Sequence, residues 1–279
     1  MTATHALVVG GGGPLGAAVA AELASRRLPA AVTRRTGRDA LDISKRGDVV
    51  SALRSIRPRT VIYLANPGVE DLEEAVVVAN VDHIRRFALD AARHGVERIV
   101  FASSAAVYGT TWTEPVAEED VALGPGMYAS LKRRSEEVLR EVAGSTPLSA
   151  ISLRIFNIYG PGFSRSLITR LATGEPRAVL QVSDSFVRDY IHGDDVARAM
   201  AIATEATSPG FRILNIGTGI ATDNVMLSRF AAPGSYSVAT SPSAPSYCVA
   251  RVDRARRELG FDAEWSVDRY LAEAAARRF

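Results

Sequence analysis

The 279-residue chain is 47% apolar and 23% charged, enough to fill one large core or two unequal ones, with no compositional sign of disorder. Its 33 basic and 31 acidic side chains leave a formal charge of +2, which argues against a nucleic-acid or membrane surface as partner. The single cysteine, Cys248, excludes an internal disulfide and a cysteine-based metal site; with no secretory signal and no run near the roughly 20 apolar residues of a bilayer span, a soluble cytoplasmic protein without metal is expected. In chain order, short β-rich runs alternate with helical patterns: strands at 6–10, 30–33, 60–65, 98–102 and 149–155, and helices over 14–27, 45–56, 71–94 and 127–143. That alternation predicts an α/β fold of Rossmann type, a doubly wound parallel sheet with helices on both faces.

After residue 160 the pattern loosens. A helix over 164–173, a strand at 178–182, a helix over 194–205 and a strand at 211–216 precede an Ala-, Ser- and Pro-rich stretch, 231–246, that reads as loop. Helices over 253–259 and 267–277 close the chain. The expected organisation is a dinucleotide-binding domain over 1–160 and a small, discontinuous substrate region over 161–279, with parts near 185–217 returning to the first domain.

The stretch "ALVVGGGGPLG" joins a strand to an Ala-rich helix through four consecutive glycines. Gly11, Gly13 and Gly16 fit G-x-G-x-x-G; Gly10, Gly13 and Gly16 fit the wider G-x-x-G-x-x-G. Either register brings backbone amides and a helix N-terminus toward a diphosphate with no Cβ in the way. An acid on the ribose 2'-hydroxyl is expected at the end of the second strand, but the sequence there is "AVTRRTGR". Arg34 and Arg35 suit a 2'-phosphate, so NADP(H) is favoured and NAD(H) remains possible. Asp42 and Ile43 would flank the adenine.

"RIVFASSAAVYG" places Ser103 and Ser104 at the carboxyl end of a central strand, where open parallel sheets hold ligands. "MYASLKRRSEE" supplies Tyr128 and Lys132, four apart and therefore on one face of a helix. A phenol is a poor proton carrier at neutral pH, but a nearby fixed cation favours phenolate. Tyr128 could exchange a proton with a carbonyl or hydroxyl oxygen as hydride moves, with Ser104 hydrogen-bonding the same oxygen.

In this order and spacing, "GGGGPLG", "LDIS", "VIYLAN", "NVDHIRRFALDAARHGVERIVFASSAAVYG", "YASLK", "LRIFNIYGPG", "VRDYIHGDDVARAM" and "LNIGTG" resemble an extended short-chain dehydrogenase/reductase of the NAD-dependent epimerase/dehydratase group. The resemblance puts the catalytic roles on Ser104, Tyr128 and Lys132. It selects Gly10, Gly13 and Gly16 as the functional glycines, leaving Gly11 and Gly12 as spacers. It implies that Pro14, Leu15, Leu64, Ala65, Asn66, Asn80 and Ile155 join the arginines, Asp42 and Ile43 along the cofactor, with Tyr128 and Lys132 at its nicotinamide end. Asn157 and Arg188 would contact substrate, Arg188 by pairing with a diphosphate. Asp189 and His192 are expected to fix the local loop and cap the following helix.

The chain also departs from that pattern. Tyr63, Asn66 and Pro67 alter a cofactor-facing loop; Ala105 and Ala106 replace the acids that a dehydratase needs; "SPSAPSYCVARVD" replaces a basic nucleotide clasp, with Arg251 as a substitute. The expectation is therefore NADPH-dependent reduction of a 4-keto deoxysugar linked to dTDP, UDP or GDP. The alternatives are an NAD-dependent nucleotide-sugar 4-epimerase and a reductase of a non-sugar ketone. The intact triad argues against a non-catalytic sensor. A homodimer through the helices at 71–94 and 127–143 is implied by resemblance.

Overall fold

Strands β1 (Ala6–Val9), β2 (Ala30–Val32), β3 (Thr60–Tyr63), β4 (Arg98–Ser104) and β5 (Ser149–Ile155) are joined through helices α1 (Pro14–Ser25), α2 (Arg46–Ile56), α3 (Glu74–Arg93) and α4 (Gly126–Ser145). The computed structural model describes residues 4–37, 39–68, 72–174, 178–230, 236–240 and 245–276. All five strands run parallel, and β10 (Phe211–Ile216) joins them beside β5, giving the order β10-β5-β4-β3-β1-β2. This is the doubly wound Rossmann-type sheet expected from the sequence.

The apolar runs in β1 and β3 do not alternate with polar residues because both faces of the sheet are covered, whereas β5 alternates Ile151, Leu153 and Ile155 with Ser152 and Arg154. Ala6 and Val8 face a core shared with Val19 and Leu23 of α1 and with Val196 and Met200 of α6 (Gly193–Glu205). Leu7 and Val9 point the other way, among Leu53 of α2, Phe87 of α3 and Leu139 of α4. The period of two along a strand thus assigns successive residues to opposite cores.

Strand order reverses between β1 and β3. The chain leaves β1 toward β2 on one side and returns to β3 on the other, so the segments following β1 and β3 diverge at their carboxyl ends. Ser104 closes β4 at the same edge. After β2, Arg34 forms an isolated parallel bridge with Ala40.

The remaining elements are β6 (Asn157–Tyr159), α5 (Leu167–Thr173), β7 (Ala178–Val182), β8 (Phe186–Arg188), β9 (Tyr190–His192), β11 (Thr222–Asp223), α7 (Asn224–Ser228), β12 (Tyr236–Thr240), β13 (Ser246–Cys248), α8 (Asp253–Leu259) and α9 (Val267–Ala276). Here the structure differs from the sequence reading. Part of the stretch expected to be loop, Tyr236–Thr240, is a strand parallel to β7, and Ser246 opens β13 against β8; residues 231–235 and 241–244 lie outside the described residues. The pairing partners are distant in sequence, so local composition carries no signal for them. The helix expected from residue 71 begins at Glu74, residue 71 itself lying outside the described residues. The closing helix is described to Ala276, one residue short of its expected end, and residue 277 also lies outside them. Among the described residues, no helix is long and apolar enough to cross a membrane.

Candidate active site

The turn between β1 and α1 is shaped by four glycines with different duties. Gly10 has φ +81°, and a Cβ there would lie 2.6 Å from the backbone of Ala65. A Cβ on Gly16 would overlap the backbone of Gly11, and a Cβ on Gly11 would overlap Val32. Gly11, expected to be only a spacer, is therefore fixed by close packing on both sides. Gly13 caps α1 without a side-chain hydrogen bond and has open space where its Cβ would be. With Pro14 at N1, helix geometry leaves the N–H groups of Leu15 and Gly16 without helical acceptors, so this end can receive an anion. A cradle that a Cβ would fill, beside an uncapped helix N-terminus, fits a dinucleotide diphosphate.

A cavity of about 520 Å3 continues from this cradle along Gly10, Gly13, Asp42, Ile43, Leu64, Ala65, Asn66 and Asn80. Arg35 lines it and Arg34 does not. Arg34 runs its aliphatic stem along Gly12 and lines a separate groove against α2, because its backbone pairs with Asp39 and Leu41 and turns the side chain away. The sequence treated the two arginines as a pair; the bridge at Arg34 separates them. Asp42 accepts hydrogen bonds from the Ser44 N–H at 3.0 Å and hydroxyl at 2.7 Å, which hold its carboxyl below the usual range, aided by Lys45 and Arg35. Ser44 and His83 also line the cavity; their types gave no signal in the sequence.

Pro14, Leu15 and Ile155 are not in the cavity wall. Pro14 packs beside Gly162, while Leu15 and Ile155 belong to the core on the α1 face of the sheet. Tyr63 is likewise turned into the core, its ring 5.3 Å edge-on from Phe87, so its bulk is absorbed away from the main cavity.

At the end of β4, Ser104 accepts the Ala106 N–H at 3.2 Å. Lys132 is 4% exposed; its Nζ donates to the Ala102 carbonyl at 2.7 Å and stands 5.0 Å and 5.4 Å from the ring centroids of Phe101 and Tyr128. Serine, phenol and ammonium are thus gathered at one edge of the sheet. Lys132 shares with Asn66 and Asn80 a small void that adjoins the main cavity. Burial pushes the Lys132 ammonium down to about 8, against the pull of Glu136. Burial also raises the Tyr128 phenol, with Ser104 as the opposing influence. The sequence expectation that the cation would leave this phenol lowered is corrected: desolvation of the ring dominates.

On the facing side, Asn157 is exposed at the edge of its strand and donates its amide to the Asp189 carbonyl at 2.8 Å, leaving its own carbonyl oxygen for another partner. Asp189 is fully buried and accepts from Thr218 N–H and hydroxyl, Gly219 N–H and Ala250 N–H, stapling three segments together. Arg188 stacks over Phe186 at 3.9 Å and donates to the Ser246 carbonyl and hydroxyl, both at 2.8 Å. Arg251 is exposed on the segment after β13, anchored by its N–H to the Val116 carbonyl.

A family model for the NAD dependent epimerase/dehydratase family matches residues 6–217. The UDP-glucose 4-epimerase of Corynebacterium glutamicum is 30% identical, over 67% of this chain and 65% of that enzyme. The dTDP-L-rhamnose 4-epimerase of Burkholderia thailandensis is 27% identical, over 96% of this chain and 93% of that one. The chain spans only 65% and 61% of the lengths of the C. glutamicum and Bifidobacterium longum 4-epimerases. Among solved structures, MoeE5 in complex with UDP-glucuronic acid and NAD superposes with a TM-score of 0.84 at 27% identity, covering 99% of this chain and 100% of that one. The cofactor in that structure is NAD, so the preference for NADP(H) drawn from Arg34 and Arg35 gains no support from it.

Proposed function

The chain belongs to the NAD-dependent epimerase/dehydratase family, and from that premise we propose that it interconverts a nucleotide-linked sugar with its C4 epimer, using a retained NAD. The observation that carries this reading is the meeting of Ser104, Tyr128 and Lys132 at the end of β4, beside the cavity that opens from the glycine cradle. The 4-epimerases among the relatives support the reaction, and the NAD and UDP-sugar bound to MoeE5 support the cofactor and substrate class.

When bound, NAD supplies a hydride acceptor and donor. Tyr128 takes the proton of the C4 hydroxyl as its C–H hydride leaves, and returns that proton to the keto oxygen when hydride re-adds to the opposite face. No net redox change results. Ser104 donates a hydrogen bond to the same oxygen, which steadies the charge that develops there. Lys132 as an ammonium stabilises the phenolate form of Tyr128. Arg188 and Asn157 reach the diphosphate and sugar, with Arg251 at the rim. Gly10, Gly13 and Gly16 hold the cofactor diphosphate, Asp42 and Ile43 its adenosine end, and Asn80 lies between that cavity and Lys132. A homodimer through α3 and α4 belongs to the same reading, supported by exposed Val78 on α3 and Met127 at the start of α4.

The test is to denature the purified protein, identify the released dinucleotide by mass, and incubate native protein with UDP-, dTDP- and GDP-hexoses without added cofactor. Bound NAD and a C4-epimeric product are expected. Absence of epimer from every donor overturns the reading. A second reading, NADPH-dependent reduction of a 4-keto sugar nucleotide, is favoured by Arg35 in the cavity wall. It predicts stoichiometric NADPH consumption instead. Reduction of a non-sugar ketone draws no support from relatives that act on nucleotide sugars.

A further inference from the structure

We propose that Glu136 is a positioning residue of this site: its carboxylate, one helical turn from Lys132, clamps the end of β4 and the middle of β5 to α4. The proposal rests on the reading of Lys132 as the group that steadies Tyr128.

Glu136 lies on α4 one helical turn beyond Lys132 and is 3% exposed. Its Oε1 accepts from the Ser103 hydroxyl at 2.7 Å, the Ser152 hydroxyl at 3.0 Å and Arg154 Nε at 3.1 Å; its Oε2 accepts from a terminal nitrogen of Arg154 at 2.8 Å. Ser103 immediately precedes Ser104, and it sits opposite Arg154 in the parallel register of β4 and β5. One carboxylate therefore ties the strand that ends in Ser104 to the helix that carries Tyr128 and Lys132. A catalytic constellation needs its members held to within a fraction of an ångström, and bracing of this kind is how neighbouring residues do it.

A plain structural ion pair would need only Arg154, and buried pairs are often no better for stability than apolar replacements. Glu136 does more than neutralise an arginine. It takes hydrogen bonds from two serines on different strands, one of them adjacent to Ser104. Arg154 is in turn occupied: it stacks over Tyr108 at 4.7 Å and donates to the Glu118 carbonyl.

The groups that face Lys132 come from every surrounding element. They are Tyr128, Ser135 and Glu136 on α4, Phe101 and the Ala102 carbonyl on β4, and Tyr63 of β3, Asn66 after it and Asn80 of α3 across the small void. Glu136 is the carboxylate in that set. Burial drives the lysine toward its neutral form, and Glu136 is the influence that opposes it.

The chain contains two lysines, Lys45 and Lys132, so protein grown on lysine carrying 13C at Cε gives two resonances, with Lys45 on the exposed surface. Read on the holoprotein, this needs no substrate. Glu136→Gln is expected to lower the Lys132 midpoint by about one pH unit or more. Since an unpaired Arg154 can prevent folding, the double variant Glu136→Met with Arg154→Met, which leaves no unpaired guanidinium, is read the same way. Ser103→Ala keeps the charge and removes one strut; its kcat should fall about tenfold or more with KM unchanged, because geometry and not binding is lost. A Lys132 midpoint that stays put in a folded Glu136 variant overturns the proposal, and so does wild-type kcat in Ser103→Ala. Should the wild-type protein turn over no sugar nucleotide, the functional reading falls while the lysine titration still decides the role of Glu136.

Discussion

A side-chain carbon on Gly16 would overlap the backbone of Gly11, so the turn after β1 and the first turn of α1 meet main chain to main chain. Gly13, between them, has open space at its Cβ position and φ −96°, a value any residue adopts. The two positions should respond differently to alanine. Gly16→Ala must push the helix off the turn, so both melting temperature and dinucleotide binding should fall. Gly13→Ala adds a methyl only where a diphosphate would lie; its melting temperature without ligand should stay close to wild type while affinity drops about tenfold or more, roughly 1.4 kcal/mol. Melting curves with and without added NAD check this, since a ligand that binds the native state raises the transition. An undiminished NAD-induced rise in Gly13→Ala would refute the assignment.

Arg35 and Asp42 share the cavity wall, and their charges act on each other. Arg35→Ala should leave NAD affinity within about twofold and cost NADPH about tenfold or more, because only the latter brings a 2'-phosphate to a guanidinium. Arg34→Ala should change neither. Asp42→Asn removes a carboxylate from the same wall and should narrow the gap in favour of NADPH. Titrations of the two cofactors into stripped protein distinguish these outcomes, and a larger NADPH loss for Arg34→Ala than for Arg35→Ala would reverse the reading of the loop.

The contrast between those two arginines marks where sequence reasoning stops. Strands β1 and β3 were legible because a parallel sheet covered on both faces favours unbroken apolar runs such as Ala6–Val9 and Val61–Tyr63. The triad was legible through the fixed relation of helix spacing to strand end. Which arginine faces the cavity depends on a single bridge, Arg34 to Ala40, that no local pattern announces. The three-residue strands β6, β8, β9 and β13 are set by partners distant in the chain rather than by their own composition. Glu136 was passed over for a related reason: a charged residue on a helix reads as solvated until the strands behind it are known to carry Ser103, Ser152 and Arg154.

Tyr128 and Lys132 give a prediction with a defined sign. Tyr128→Phe keeps the packing of the ring and removes the proton carrier, so cofactor content should be unchanged and kcat should fall by about 10²- to 10⁴-fold. In the wild type, Lys132 has been pushed down to about 8. A cation is lost as pH rises through its pKa, so the rate should decline on the alkaline side from about pH 8, well before an ordinary lysine near 10.4 would titrate. A profile of kcat/KM between about pH 6 and about pH 10 reads this limb. A flat rate to the upper end would contradict the role of Lys132.

His192 couples the C-terminal segment to pH. Its ring stacks on Trp265 with centroids 4.5 Å apart and meets Tyr159 edge-on at 5.2 Å. Nδ1 accepts the Asp194 N–H at 3.2 Å, which puts the proton of the neutral ring on Nε2, a buried atom with no hydrogen-bond partner among the described residues. Burial lowers the pKa below 6.5, and although Asp194 and Asp195 pull the other way, burial prevails. The unfolded chain therefore takes up a proton near about pH 6.5 that the folded chain resists, so stability present at neutral pH is lost as pH falls through that value. His5 and His83 are lowered by burial as well and share this slope. His192→Asn keeps a side chain able to cap α6 but cannot titrate. Urea unfolding at about pH 7.5 and about pH 5.5 should show the variant less stable at the higher pH, from the lost ring packing, yet less sensitive to acid than wild type. An identical acid sensitivity in the two proteins would mean that His192 is protonated with equal ease in both states, which its unpartnered Nε2 and aromatic cage argue against.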